Sequence, residues 1–193
     1  MPPLTSLRFV KPRPKEVFWD LEPKSLTEAL KQALLILAIS PMHMDSYNTI
    51  ARHSPDPEIA LDLYQKAISI GDRLWGKKFF KDNTGYFWGI METRPYMRAF
   101  HGLMMVFKEK GDVENTIKYC ERMLELSEND NLGMRYILLP ILIENNEIEK
   151  AEALCKRYDG DYSATWLYSQ ALLDFRKHGE SKKQTRAWMR LLG

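Results

Sequence analysis

The sequence predicts an all-α protein built from stacked helical hairpins, and three observations carry that expectation. Apolar residues recur at three- and four-residue spacing along most of the chain, the period of a helix with one buried face. Three polar turns that follow apolar helices, "KEKGDVENTIKYCERML", "IENNEIEKAEALCKRY" and "FRKHGESKKQTRAWMRL", align so that Gly111, Asn146 and Gly179 are equivalent, 35 and 33 residues apart. Helix-capping residues stand at the boundaries that this register requires.

Taken in order, the elements begin with a helix over Leu26 to Ile39, because Ser25 followed by Glu28 is a capping box. A first hairpin starts near Pro41, with Met44, Tyr47, Asn48 and Ala51 on one helix and Ala60, Tyr64 and Ala67 on the next. Asp56-Pro57 marks the second of these, since proline at a helix start loses no hydrogen bond. A second hairpin from about Met97 offers Phe100, Leu103, Met104 and Phe107, then Thr116, Cys120 and Met123. The third, from about Leu132, repeats the pattern with Leu138, Leu139 and Leu142, then Ala151, Cys155 and Tyr158. A fourth, from about Thr165, carries Tyr168, Ala171, Leu172 and Phe175, then Gln184, Trp188 and Leu191. Asp130 or Asn131 and Asp161 are expected to begin the later helices.

The interval from Pro41 to Met97 exceeds one repeat, so an aromatic-rich insertion is placed at about 73–93. "KDNTG", at 81–85, lies between two aromatic pairs and predicts a short hairpin or ordered loop. Arg94 is expected at a helix cap and Pro95 at the first helical position. Residues 25–193 thus form one helical-repeat domain of about four hairpins, preceded by an extended segment at 1–24 rich in proline and basic residues. In that segment Phe18 and Trp19 are expected to pack against the repeats.

The period of about 34 residues is that of a tetratricopeptide array, and the register over about residues 41–191 resembles that superfamily as a right-handed superhelix. More narrowly, "PILIENNEIEKAEALCKRYDGDYSATWLYSQALLDFR" resembles the C-terminal region of the suppressor-of-tumorigenicity seven family, through its helix-turn-helix, its "YD" end and its "SAT" helix start. The resemblance implies a non-catalytic interaction protein and brings no functional residues with it.

Composition narrows the function classes. With 28 basic and 26 acidic residues the net charge is +2, which gives no strong attraction to nucleic acid or anionic membrane. The longest apolar run, Ala33 to Ile39, is too short to cross a bilayer, and the N-terminus lacks the apolar core of a secretory signal. Two cysteines at equivalent inward positions, Cys120 and Cys155, predict reduced core thiols and a cytoplasmic setting. The four histidines are dispersed, so neither a metal nor another cofactor is expected.

Repeat arrays of this kind bind through first-helix side chains on the concave face. That register selects Arg98, His101, Met105 and Lys108, then Tyr136, Ile137 and Pro140, then Ser169, Gln170, Leu173 and Arg176. Trp88 and Arg94 join them from the insertion, giving a mildly basic groove with apolar steps, suited to a protein or peptide partner with acidic residues. Self-association through Trp188, Met189 and Leu192 is a second expectation. One alternative is an RNA-binding repeat protein that uses the basic C-terminal end for phosphate contacts. Another is a small enzyme using His101, Glu92, Tyr96 and Arg98 as an acid–base cluster, though no nucleophile or second carboxylate accompanies them. Pairing of Glu92 with Arg94 or Arg98 is the packing alternative.

Overall fold

A computed structural model describes residues 25–179, and these are all-α. The eight helices are α1 (Leu26–Ile39), α2 (Met44–Arg52), α3 (Pro57–Asn83), α4 (Arg94–Glu109), α5 (Val113–Leu126), α6 (Met134–Glu144), α7 (Ile148–Arg157) and α8 (Ala164–His178). Two single-turn 3-10 helices, Phe87–Gly89 and Met91–Thr93, lie between α3 and α4. Each α-helix packs on the next in the chain, and α2 also packs on α4 and α6 on α8. Expectations for the segment at 1–24, with Phe18 and Trp19, and for the C-terminal helix with Gln184, Trp188 and Leu191, lie outside the described residues.

Cap chemistry sets the boundaries. Ser25 accepts a hydrogen bond from the Glu28 N–H at 3.2 Å, and Asp56 accepts one from the Glu58 N–H at 2.9 Å, so two orphan helix donors are satisfied. The three equivalent turn positions share a positive φ, 72° at Gly111, 61° at Asn146 and 64° at Gly179. A positive φ lets the chain turn away at the end of a helix, which is why glycine or asparagine recurs there. Two caps differ from expectation. Gly133 and Ser163 immediately precede α6 and α8, while Asp130 and Asp161 act from further back. Asp130 accepts from the N–H groups of Met134 and Arg135 at 2.6 and 3.0 Å, and Asp161 from that of Ser163 at 2.9 Å.

The core follows the repeating apolar positions. Ala60, Tyr64 and Ala67 of α3 are buried, as are Leu103 and Met104 of α4, Cys120 and Met123 of α5, and Leu139 and Leu142 of α6. The fourth hairpin departs from this. Tyr168, Leu172 and Phe175 of α8 are exposed, whereas Leu173, expected on the open face, is buried.

The stretch at 81–85 departs from the hairpin alternative. "KDNTG" does not turn a hairpin: α3 runs through it to Asn83, with a kink at Gly76 where φ is 66°. Helix formers on either side of one glycine extend the helix more readily than they pair as strands. The kink folds Trp75, Phe79 and Phe80 back around Phe87, which is fully buried and packs in stacked or edge geometry on all three. Tyr86 makes an isolated antiparallel bridge with Ser127, closed by hydrogen bonds between Gly85 and the backbone of Leu126 and Glu128. Thr93 is the N-cap of α4, with Arg94 and Pro95 in its first turn, one residue earlier than predicted.

Candidate functional site

A cavity of about 500 Å³ opens between the C-terminal half of α2, the start of α3 and the middle of α4. Its apolar surface comes from Ala51 on α2, Pro55 and Pro57 at the α2–α3 turn, and Ala60 on α3. From α4 come Met105 and Val106, and Leu132 reaches in from the turn before α6. Small residues on facing helices leave this hollow. Gly102 is required beneath Tyr64, since a β-carbon there would stand 2.2 Å from the tyrosine ring. Polar groups at the cavity are Arg52, Arg98, His101 and Glu109, with Trp88 at the edge.

Arg98 is held by Asp45 of α2 through two hydrogen bonds, Nε to Oδ1 at 3.0 Å and Nη2 to Oδ2 at 2.6 Å. The pair ties α4 to α2 and fixes the guanidinium at the cavity, leaving Nη1 without a partner among the described residues. His101 is half-buried, and burial, aided by the nearby Arg52 cation, holds its pKa below the ordinary value of 6.5. The imidazole is therefore neutral at neutral pH, with one donor and one acceptor to offer. Burial likewise pushes the Tyr64 hydroxyl up, against the opposing effect of Arg52. Arg52 itself is exposed and forms no ion pair among the described residues.

Of the residues selected from the sequence, Trp88, Arg98, His101 and Met105 meet at this cavity. Arg94 stands behind Trp88, its guanidinium carbon 5.3 Å from the ring centroid and its Nε bonded to the Trp88 carbonyl at 3.0 Å. Glu92 is exposed, so the expected pairing with Arg94 or Arg98 is replaced by these other contacts. Lys108 and Arg176 are exposed away from the cavity, and Gln170 lies against Cys155 between α7 and α8. Tyr136 is a joint residue: its hydroxyl donates to Asp161 at 2.6 Å and accepts from Arg135 at 2.8 Å. The acid–base set is dispersed as well, because the Tyr96 hydroxyl is engaged by Asp72 at 2.6 Å on another face of α4.

Sequence reasoning missed Arg52, Tyr64 and Glu109. Arg52 follows Asn48 by four residues, at the edge of the face that carries Met44 and Ala51, and that spacing is the one signal that pointed to it. Asp45 gave no signal, since it lies 53 residues from Arg98.

A second, more polar cleft is lined by Arg135, Arg157, Tyr158 and Asp161. Its central cation is paired within the protein, while Arg157 donates to the Leu124 carbonyl at 2.8 Å. Arg135 bonds Asp130 at 3.2 Å and Asp161 at 2.7 Å, and lies 4.5 and 5.0 Å from the ring centroids of Tyr136 and Tyr158. Burial pushes the Asp130 carboxyl up despite its hydrogen bonds. Burial is the largest single influence on the Asp161 carboxyl and raises it, but the Tyr136 hydroxyl, Ser163 and Arg135 together outweigh burial and hold it well below the usual range.

Among the described residues no cluster of three histidine, cysteine or carboxylate side chains is placed to hold a metal ion, and no helix is long and apolar enough to cross a membrane. No protein-family model, curated protein or solved structure matches the chain.

Proposed function

We propose that the chain is a tetratricopeptide-like interaction module, non-catalytic, which binds a protein or peptide partner in the groove between α2 and α4. The convergence of Trp88, Arg98, His101 and Met105 on one open cavity carries this reading. The repeat register selected Arg98, His101 and Met105 on one face of α4 and Trp88 came from the insertion, and their lining of one hollow with residues of α2 and α3 supports the groove. The positive-φ turns at Gly111, Asn146 and Gly179, and the packing of α2 on α4 and of α6 on α8, support a stack of helical hairpins. The likeness of residues 140–176 to the suppressor-of-tumorigenicity seven family points to the same class.

The cavity suits a side chain better than a reacting centre. Arg98 is committed to Asp45, and His101 has no carboxylate to orient it as a base. Affinity capture with the full chain tests the reading. Met105→Glu, which places a charge in the groove, is expected to lose a partner that the wild type and the distant Lys66→Glu variant retain. Retention by a Met105→Glu protein with unchanged circular dichroism would move the site elsewhere.

A further inference from the structure

We infer that the α2–α4 groove reads an acidic segment of a partner protein, in which one aliphatic or aromatic side chain is flanked by aspartate or glutamate. The inference rests on the groove being the interaction site and adds what the groove selects.

Apolar side chains make up much of its lining. Ala51 and Ala60 are small, the Tyr64 ring lies over Gly102, and Met105 and Val106 line it from α4. The volume of about 500 Å³ lies within the range of about 300–1,000 Å³ in which pockets enclose a compact group. An apolar side chain entering it would displace water from surfaces that offer it few hydrogen bonds.

Beside that lining stand two guanidinium groups with donors to spare. Arg52 has no ion-pair partner among the described residues; it hydrogen-bonds the Tyr64 hydroxyl and its charge also reaches His101, which leaves most of its N–H donors available. Asp45 takes one N–H from Nε and one from Nη2 of Arg98 and leaves Nη1 unbonded among the described residues, so the position of the guanidinium is set before any partner arrives. Pre-positioned guanidinium donors recognise carboxylates, and His101, being neutral, adds a hydrogen-bonding group without a competing charge. Glu109 is the opposing element: a carboxylate on the same cavity, it repels acidic residues placed toward the end of α4 and so sets the direction of the segment.

Four fluorescein-labelled decapeptides of glycine and serine, with central triplets Asp-Leu-Asp, Asp-Phe-Asp, Lys-Leu-Lys and Asp-Ser-Asp, test the inference by fluorescence polarisation against the full chain. The first two are expected to bind, and the lysine and serine versions to bind at least about tenfold more weakly. Arg52→Gln is expected to weaken Asp-Leu-Asp about tenfold and Met105→Ala to weaken it further, whereas Glu109→Gln is expected to tighten it. Arg52 and Glu109 are exposed, so both variants should fold, and circular dichroism checks that they do. Equal affinity for Lys-Leu-Lys, indifference to Arg52→Gln, or no binding by any peptide would overturn the inference. If no peptide binds while Met105→Glu still abolishes capture of a cellular partner, only the acidic-segment inference falls. If that capture also survives Met105→Glu, the groove reading falls with it.

Discussion

Between α3 and α4 the chain closes its joint with aromatic rings gathered around Phe87, whereas between α6 and α8 it closes a joint with Arg135 held by two carboxylates and two tyrosines. The first joint is apolar and depends on shape. Rings at 5–6 Å centroid separation gain from burial and from edge or offset contacts, and neither depends on pH. The second depends on direction and charge, because Asp130 is 1% exposed and would lose its counter-ion if Arg135 moved. Trp88, the chain neighbour of Phe87, lines the α2–α4 groove, where Arg52 forms no ion pair among the described residues, whereas the polar cleft holds Arg135 paired to two carboxylates and Arg157 donating to the Leu124 carbonyl. The two hollows therefore differ in lining, largely apolar helix faces at the groove and tyrosines with charges at the cleft.

Removing Phe87 tests the aromatic joint, and Phe87→Ala is expected to destabilise by about 4 kcal/mol in urea unfolding, the usual consequence of emptying a core ring site. Gly71→Ala should act on the same joint by overpacking, since the new β-carbon would stand 2.4 Å from the Tyr96 ring. About 2 kcal/mol is expected. Arg135→Met tests the charged joint at about 3 kcal/mol, because the buried Asp130 carboxylate loses its cation. Asp130→Asn in the same chain should recover part of that loss; no recovery would mean that Arg135 acts mainly by stacking on the tyrosines.

The groove makes smaller claims. Arg98→Gln is expected to cost about 0.2–1 kcal/mol, since the Asp45 pair is about one-third exposed on each side, and a larger loss would make that pair a structural pillar. His101, neutral in the fold, resists protonation that the unfolded chain accepts. Stability is accordingly expected to fall as pH drops below about 6.5, down to the lower pKa of the folded state, and His101→Gln should flatten that slope. The thiols offer a further check. Burial pushes Cys120 up to about 12 and Cys155 up to about 11, and Cys120 is fully buried. Alkylation at pH 8 is expected to leave both largely unmodified until denaturant is added, with the half-buried Cys155 reacting first.

The parts legible in the sequence were those written locally. Ser25 and Glu28 placed the start of α1, Asp56-Pro57 placed the start of α3, and the spacing of Gly111, Asn146 and Gly179 located three positive-φ turns. At 81–85 the hairpin alternative fails because the helix resumed after the Gly76 kink runs to Asn83, and only Thr84 and Gly85 turn; a helix end and a hairpin carry the same turn residues, so nothing local distinguishes them. The groove was half legible. Repeat register found the α4 face with Arg98, His101 and Met105, but the Asp45 contact, 53 residues away, depends on how two hairpins stack. Tyr136 and Gln170 were assigned to the open face for the same reason. Whether such a side chain faces solvent or its neighbour is decided by inter-helix packing.

Chemical-shift mapping on the full chain tests the central claim most directly. Titrating ¹⁵N-labelled protein with the Asp-Leu-Asp peptide, or with a partner obtained by capture, should shift the amides of Arg52, His101, Gly102 and Met105 and leave those around Arg135 and Arg157 unmoved. Shifts confined to the Arg135 cleft, with the α2–α4 groove silent, would contradict the account.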